Sequence, residues 1–194
     1  LWGRHLDDRP IELTVNAPEG SGWRVATQLA PTSDPYRFTA PNLYYFLDSP
    51  TEVSDSWMRE WKLDGKTFRV ALHHAGTEAE ADRYADAAAE IVEAARDVYG
   101  ELPNFDFGTY TFLACYLPWV DGDGMEHRNS TVLASTASLA SNMTGLLGTV
   151  AHEFFHSWNV ERIRPATIEP FDFERANMSR ELWFAEGFTS YVDD

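Results

Sequence analysis

A chain of 194 residues, 44% hydrophobic and 24% charged, has the composition of folded globular protein and is long enough for one large domain or two small ones. Thirty-one acidic against fifteen basic residues leave a net charge of -16, which excludes a phosphate-neutralising nucleic-acid surface and serves solubility first. A single cysteine, Cys115, excludes an internal disulfide and a cysteine-based metal cluster, and no apolar run reaches membrane length.

Residues 1–55 read as antiparallel sheet. Ile11–Val15 alternates apolar and polar side chains, Pro18–Gly22 is a turn, Trp23–Leu29 alternates again, and Leu43–Leu47 is a third candidate strand. Trp2, Trp23, Tyr44, Tyr45 and Phe46 are expected as core or interface aromatics. Ser49-Pro50 and Ser54-Asp55 interrupt the strands and put a boundary near Asp48–Asp55. Beyond it, Trp57–Leu63 and Thr67–His74 flank Asp64-Gly65, the dipeptide of a tight hairpin. His73 and His74 are adjacent, face opposite sides of a strand, and read as structural.

Thr77–Tyr99 is the clearest helix. Ala81, Tyr84, Ala85, Ala88, Ile91, Val92, Ala95, Val98 and Tyr99 form one apolar stripe, Thr77 with Glu80 makes a capping box, and Gly100 stops the helix. It should cover a sheet to which Thr109–Leu117 adds a strand, with Cys115 as a small core residue. In the following 121–130 stretch a calcium loop fails, because Met125 stands where an oxygen ligand is needed. Read as a strand, Gly124-Met125-Glu126-His127 would form the edge of the sheet and pair with an extended peptide, with Glu126 taking the peptide's α-ammonium group. A plain acidic hairpin is the competing reading.

The chain is organised around Leu146–Asn159. His152-Glu153-Phe154-Phe155-His156 places two histidines four apart on one helix face, the spacing that suits zinc, and Glu153 beside the metal as the general base that takes a proton from water. Leu146, Leu147, Val150, Ala151, Phe154, Phe155 and Trp158 gather on the other side. Gly145, Gly148 and Thr149 share the histidine side, so another backbone is expected to approach closely there. A third ligand is expected from Trp183-Phe184-Ala185-Glu186-Gly187-Phe188, where Glu186 is a lone carboxylate among large apolar side chains and should be protonated, turned to solvent or bound to a cation, for which a metal on the two histidines would serve. Ser179 is the expected cap of a helix over Arg180–Asp193. Asn159 and Arg162 occupy the places of the metzincin glycine and third histidine, which excludes that group. With twenty-nine residues between His156 and Glu186, the third ligand comes from a second helix, as in the thermolysin-like gluzincins.

Gly124-Met125-Glu126-His127-Arg128-Asn129-Ser130, His152-Glu153-Phe154-Phe155-His156 with Trp158-Asn159, and Trp183-Phe184-Ala185-Glu186-Gly187 together resemble the glycyl aminopeptidase family, whose members often carry a PDZ domain. The resemblance runs from about Ile11 to the end. It implies an α+β chain: residues 1–55 as the C-terminal part of an N-terminal antiparallel β domain, and residues 56–194 as the first, sheet-plus-zinc-helix half of a thermolysin-like catalytic domain. It further implies a zinc aminopeptidase acting on peptides with a free, small N-terminal residue such as glycine or alanine. His152, His156 and Glu186 would be the Zn2+ ligands, Glu153 the base, and Glu126, with Gly124 and Met125, the substrate-binding segment. His127 departs from the asparagine of the related, larger zinc aminopeptidases. The chain reads as an excised soluble piece, periplasmic or cytoplasmic, with the rest of a helical lobe, an oxyanion-steadying tyrosine or histidine, and a PDZ domain expected after the third ligand. An endopeptidase with the same zinc site and a non-catalytic peptide-binding module are the alternatives.

Overall fold

The computed structural model describes residues 5–192, so Trp2 and Asp193 lie outside it. Four short strands open the chain: β1 (Ile11–Thr14), β2 (Arg24–Thr27), β3 (Ala30–Pro31) and β4 (Arg37–Ala40). β1, β4 and β3 form an antiparallel sheet over a small core of Leu29, Phe38 and Ala40. Leu43–Leu47, expected as a strand, is instead a helical turn, α1. Asn42 decides this: its side chain accepts from the Tyr45 backbone N–H and caps the turn, which outweighs the β preference of the aromatics. The chain then returns as β5 (Thr51–Ser54), which pairs antiparallel with β2.

A five-stranded sheet follows: β6 (Trp57–Leu63), β7 (Lys66–His74), β8 (Thr109–Tyr116), β9 (Asp123–His127) and β10 (Ser130–Ser135), in the order β6-β7-β8-β10-β9. It is mixed: β8 runs parallel to both β7 and β10, and the outer pairs β6/β7 and β9/β10 are antiparallel. Asp64 (φ 50°) and Gly65 (φ 75°) both take the left-handed conformation that a two-residue hairpin turn with native twist requires.

Alternation along β7 splits the interior in two. Phe68, Val70 and Leu72 face α2 (Glu78–Tyr99) and α3 (Leu139–Phe155), and with Tyr84, Ala88, Tyr110, Phe112, Val150 and Phe154 make the main core. Ala71 faces the other way, and joins Leu113 in meeting Ala26 of β2, so the N-terminal strands pack on the back of the sheet. Helix α2 has the expected capping box and a left-handed Gly100 at its end. Its stripe is one residue too long in the sequence reading, because Val98 is 63% exposed.

α3 begins earlier than expected, at a capping box formed by Ser138 and Ser141, and ends at Phe155. The last element, α4 (Leu182–Val192), starts two residues after Arg180; the Ser179 hydroxyl accepts from the Glu181 backbone N–H just before it. Among the described residues no helix is long and apolar enough to cross a membrane.

Candidate metal centre

The apolar side of α3, with Leu146, Val150, Phe154 and the following Trp158, is buried in the core, and this turns Thr149, His152 and Glu153 towards β9 and α4. His152 Nε2 lies 3.2 Å and His156 Nε2 3.5 Å from the same atom, Glu186 Oε2 of α4. Ligand atoms about 2.0–2.1 Å from a tetrahedral zinc stand about 3.3 Å apart, so each histidine stands from Glu186 at the spacing such a metal needs, and all three ligand atoms lie within 4.8 Å of one another. The tautomer also fits. His156 Nδ1 donates to the Asn159 carbonyl at 2.8 Å, since a carbonyl can only accept, which leaves Nε2 with its lone pair facing the site.

Burial around the site differs from expectation in one respect. Glu186 is not enclosed by large apolar neighbours: its side chain is 46% exposed, and Trp183, Phe188 and Tyr191 face outward as well. Its carboxylate is half in solvent and faces the two histidines.

Glu153 is 6% exposed. Burial first, then the nearby Glu126 carboxylate, push its carboxyl up to about 7, with His152 opposing and Glu186 and Asp123 adding to the rise. Glu126, Glu153 and His156 offer side-chain atoms within 4.8 Å of one another, so the edge-strand carboxylate stands next to the proposed base. Gly124 lies two residues before Glu126 on the same face of β9. A Cβ added there would lie 2.9 Å from Glu153 Cδ and 3.0 Å from Thr149 Cγ2 and would collide with Oε1. This corrects the sequence reading of the close approach. The glycine that permits it is Gly124 of the strand; Gly148 has open space where its Cβ would be, and Gly145 faces the Asn142 side chain of its own helix. Met125, between the two, is half exposed.

The β9–β10 turn is fastened to the N-terminal strands by residues that sequence reasoning missed. Asp48 Oδ1 and His127 Nδ1 are 2.9 Å apart, and Asp48 Oδ2 accepts from the Arg128 backbone N–H at 3.2 Å. Gln28 Oε1 accepts from the Asn129 backbone N–H at 2.9 Å and from the Ser130 hydroxyl at 2.7 Å, while its Nε2 donates to the Asp48 carbonyl at 2.6 Å. His127, which departs from the larger enzymes' asparagine, thus has a partner across the boundary. Tyr44 is an interface aromatic as expected, its hydroxyl accepting from Arg164 Nη1 at 2.9 Å, whereas Trp23 is largely at the surface. Glu161 is a further missed group. Its side chain is 7% exposed and bonds Arg164 at 3.0 Å, and burial, with Asp48 and Glu126 nearby, holds its carboxyl at about 7.

Residues 145–194 match the model of the M61 glycyl aminopeptidase, and residues 1–55 that of the peptidase M61 N-terminal domain. Among solved structures the chain is similar to an aminopeptidase N family protein from Idiomarina loihiensis, at 30% identity and a TM-score of 0.82. That likeness covers 98% of this chain and 34% of the other, so the chain spans about a third of that protein's length. No curated protein matches the chain. Two models of one family, matched in separate parts of the chain, and a shared fold between them place it in the M61 glycyl aminopeptidase family.

Proposed function

We propose that residues 56–194 are the first half of a thermolysin-like zinc aminopeptidase domain and residues 1–55 the end of its N-terminal β domain. In this reading His152, His156 and Glu186 hold Zn2+, and the substrate is a peptide with a free, small N-terminal residue such as glycine or alanine. The observation that carries it is the approach of both histidine Nε2 atoms to one Glu186 oxygen, at 3.2 and 3.5 Å, with a buried carboxylate on the adjoining turn. Family membership supports peptide hydrolysis.

Bound there, zinc supplies Lewis acidity, polarising the scissile carbonyl and lowering the pKa of a water to about 7. Glu153 accepts the proton of the attacking water and delivers it to the departing amine. Its burial shields from bulk water the carboxyl that takes and returns the proton. Glu126 binds the substrate's α-ammonium group, which sets the scissile bond one residue from the N-terminus. The free edge of β9 pairs with the peptide backbone, and Gly124 keeps that edge close to Glu153.

The test is zinc stoichiometry of the wild-type protein beside Glu186→Ala, followed by hydrolysis of matched free and N-acetylated peptides. About one zinc per chain, weakened in the variant, with cleavage of free peptides only, is expected. Equal cleavage of both peptides would replace the aminopeptidase with an endopeptidase, and a wild-type protein that takes up no zinc would refute the metal centre.

A further inference from the structure

α4 carries the third proposed ligand, yet it is poorly anchored by apolar contact. Only Ala185 and Thr189 are buried among its described residues, while Leu182, Trp183, Phe188 and Tyr191 are exposed. Both buried residues are held by one side chain. Asn159 Nδ2 donates to the Ala185 carbonyl at 3.0 Å and to the Phe184 carbonyl at 3.2 Å, and reaches Thr189 Oγ1 at 3.3 Å. Phe184 and Ala185 immediately precede Glu186. Thr189 Oγ1 in turn donates to the Ala185 carbonyl at 2.6 Å and lies 3.4 Å from His156 Nδ1.

The other end of Asn159 faces a different ligand. Its backbone carbonyl is the acceptor that fixes the His156 ring, at 2.8 Å. The residue is 4% exposed, and its Oδ1 is buried without a hydrogen-bond partner among the described residues, an arrangement that packing alone would not require.

We infer that Asn159 is the positioning residue of the metal centre, setting the distance between Glu186 and the two histidines by tying α4 to the residue that orients His156. This rests on the zinc reading above. The amide donates both of its hydrogens towards α4, so loss of the side chain lets Glu186 drift while leaving the backbone bond to His156 in place. Asn159 therefore acts on the metal through Glu186.

The experiment is a double-mutant cycle on zinc affinity, measured by chelator competition in the complete protein with wild type, Asn159→Ala, Glu186→Ala and the double variant. Asn159→Ala is expected to weaken zinc about 10- to 100-fold, as loss of an orienting partner commonly does. In the Glu186→Ala background the same change should alter affinity by less than about threefold, because the ligand it positions is gone. An equal loss in both backgrounds overturns the inference, since it marks general loosening of the fold. Thr189→Val is nearly isosteric and removes the shared hydroxyl; it should give a smaller loss that also disappears without Glu186, and it runs the same cycle if Asn159→Ala does not fold. A zinc-binding wild type whose affinity neither substitution changes overturns the positioning role alone. A wild type that holds no zinc removes the metal centre and the inference together.

Discussion

Replacing Gly124 by alanine adds one carbon and should disable the site without emptying it. The new Cβ would stand 2.9 Å from Glu153 Cδ and 3.0 Å from Thr149 Cγ2, against the roughly 3.5 Å at which carbon atoms begin to attract. Either β9 must lift or the Glu153 carboxylate must swing away, by about 0.6 Å at least, from the shortfall between those distances. Displacements near 1 Å at a reacting group cost about a hundredfold in rate, or about 2.7 kcal/mol of transition-state stabilisation. The Thr149 methyl crowds the same added carbon, so moving the Glu153 carboxylate alone does not relieve the clash. We therefore expect kcat/KM on glycyl and alanyl anilides to fall about a hundredfold in the complete protein, with zinc stoichiometry unchanged and stability reduced by about 1–3 kcal/mol from overpacking. Activity within threefold of wild type would refute the argument that β9 and Glu153 are held in direct contact.

Other substitutions separate the roles of the neighbouring groups. Glu153→Gln should keep zinc and lose about 100- to 10,000-fold in kcat, the range for a missing general base; retained turnover would sink the base assignment. Glu126→Ala should damage cleavage of free peptides far more than of acetylated ones, and equal loss would refute the ammonium role. The metal-free protein should lose stability as pH rises. Glu161 is held at about 7, above its ordinary 4.5, so its contribution is complete below pH 4.5 and is lost as pH climbs through 7. Urea unfolding at pH 5 and pH 7.5 should differ by about 2–3 kcal/mol from this group. Glu161→Gln should flatten that difference, and an unchanged slope would show that the carboxyl ionises freely.

What the sequence disclosed was whatever is encoded within a turn or two of helix or a single hairpin. Thr77 and Glu80 announce α2 because both halves of the capping box lie in one turn, and Asp64-Gly65 announces the β6/β7 hairpin because two left-handed residues are needed there. The meeting of His152 and His156 follows from helical period alone. Other features were hidden because they depend on distant partners. Leu43–Leu47 reads as a strand until the Asn42 cap is seen, β3 has only two residues, and β4 and β5 lie between turn residues such as Pro35, Pro41, Pro50 and Asp55 that mask them. The Gly124 contact was credited to glycines of α3, since a sequence shows where bulk is missing but not which backbone comes near. Asn159 stands in the sequence as part of the family resemblance and as a departure from the metzincin pattern, but its bonds reach 25 to 30 residues ahead with no local pattern to reveal them.

The bonds from Gln28 to Asn129 and Ser130 span 101 and 102 residues, and that separation makes them late to form as the chain folds. Contacts across so long a stretch carry the cost of closing a large loop and form after local ones. Helix α3, with its two histidines, can be wound from nearby sequence, whereas the turn beside Glu126 acquires its partners only when both ends of that stretch are folded. The third proposed ligand, Glu186, also waits on distant contacts, the bonds from Asn159 to α4. Residues 1–55, which contain none of the proposed catalytic groups, help to set the strand proposed to hold the peptide.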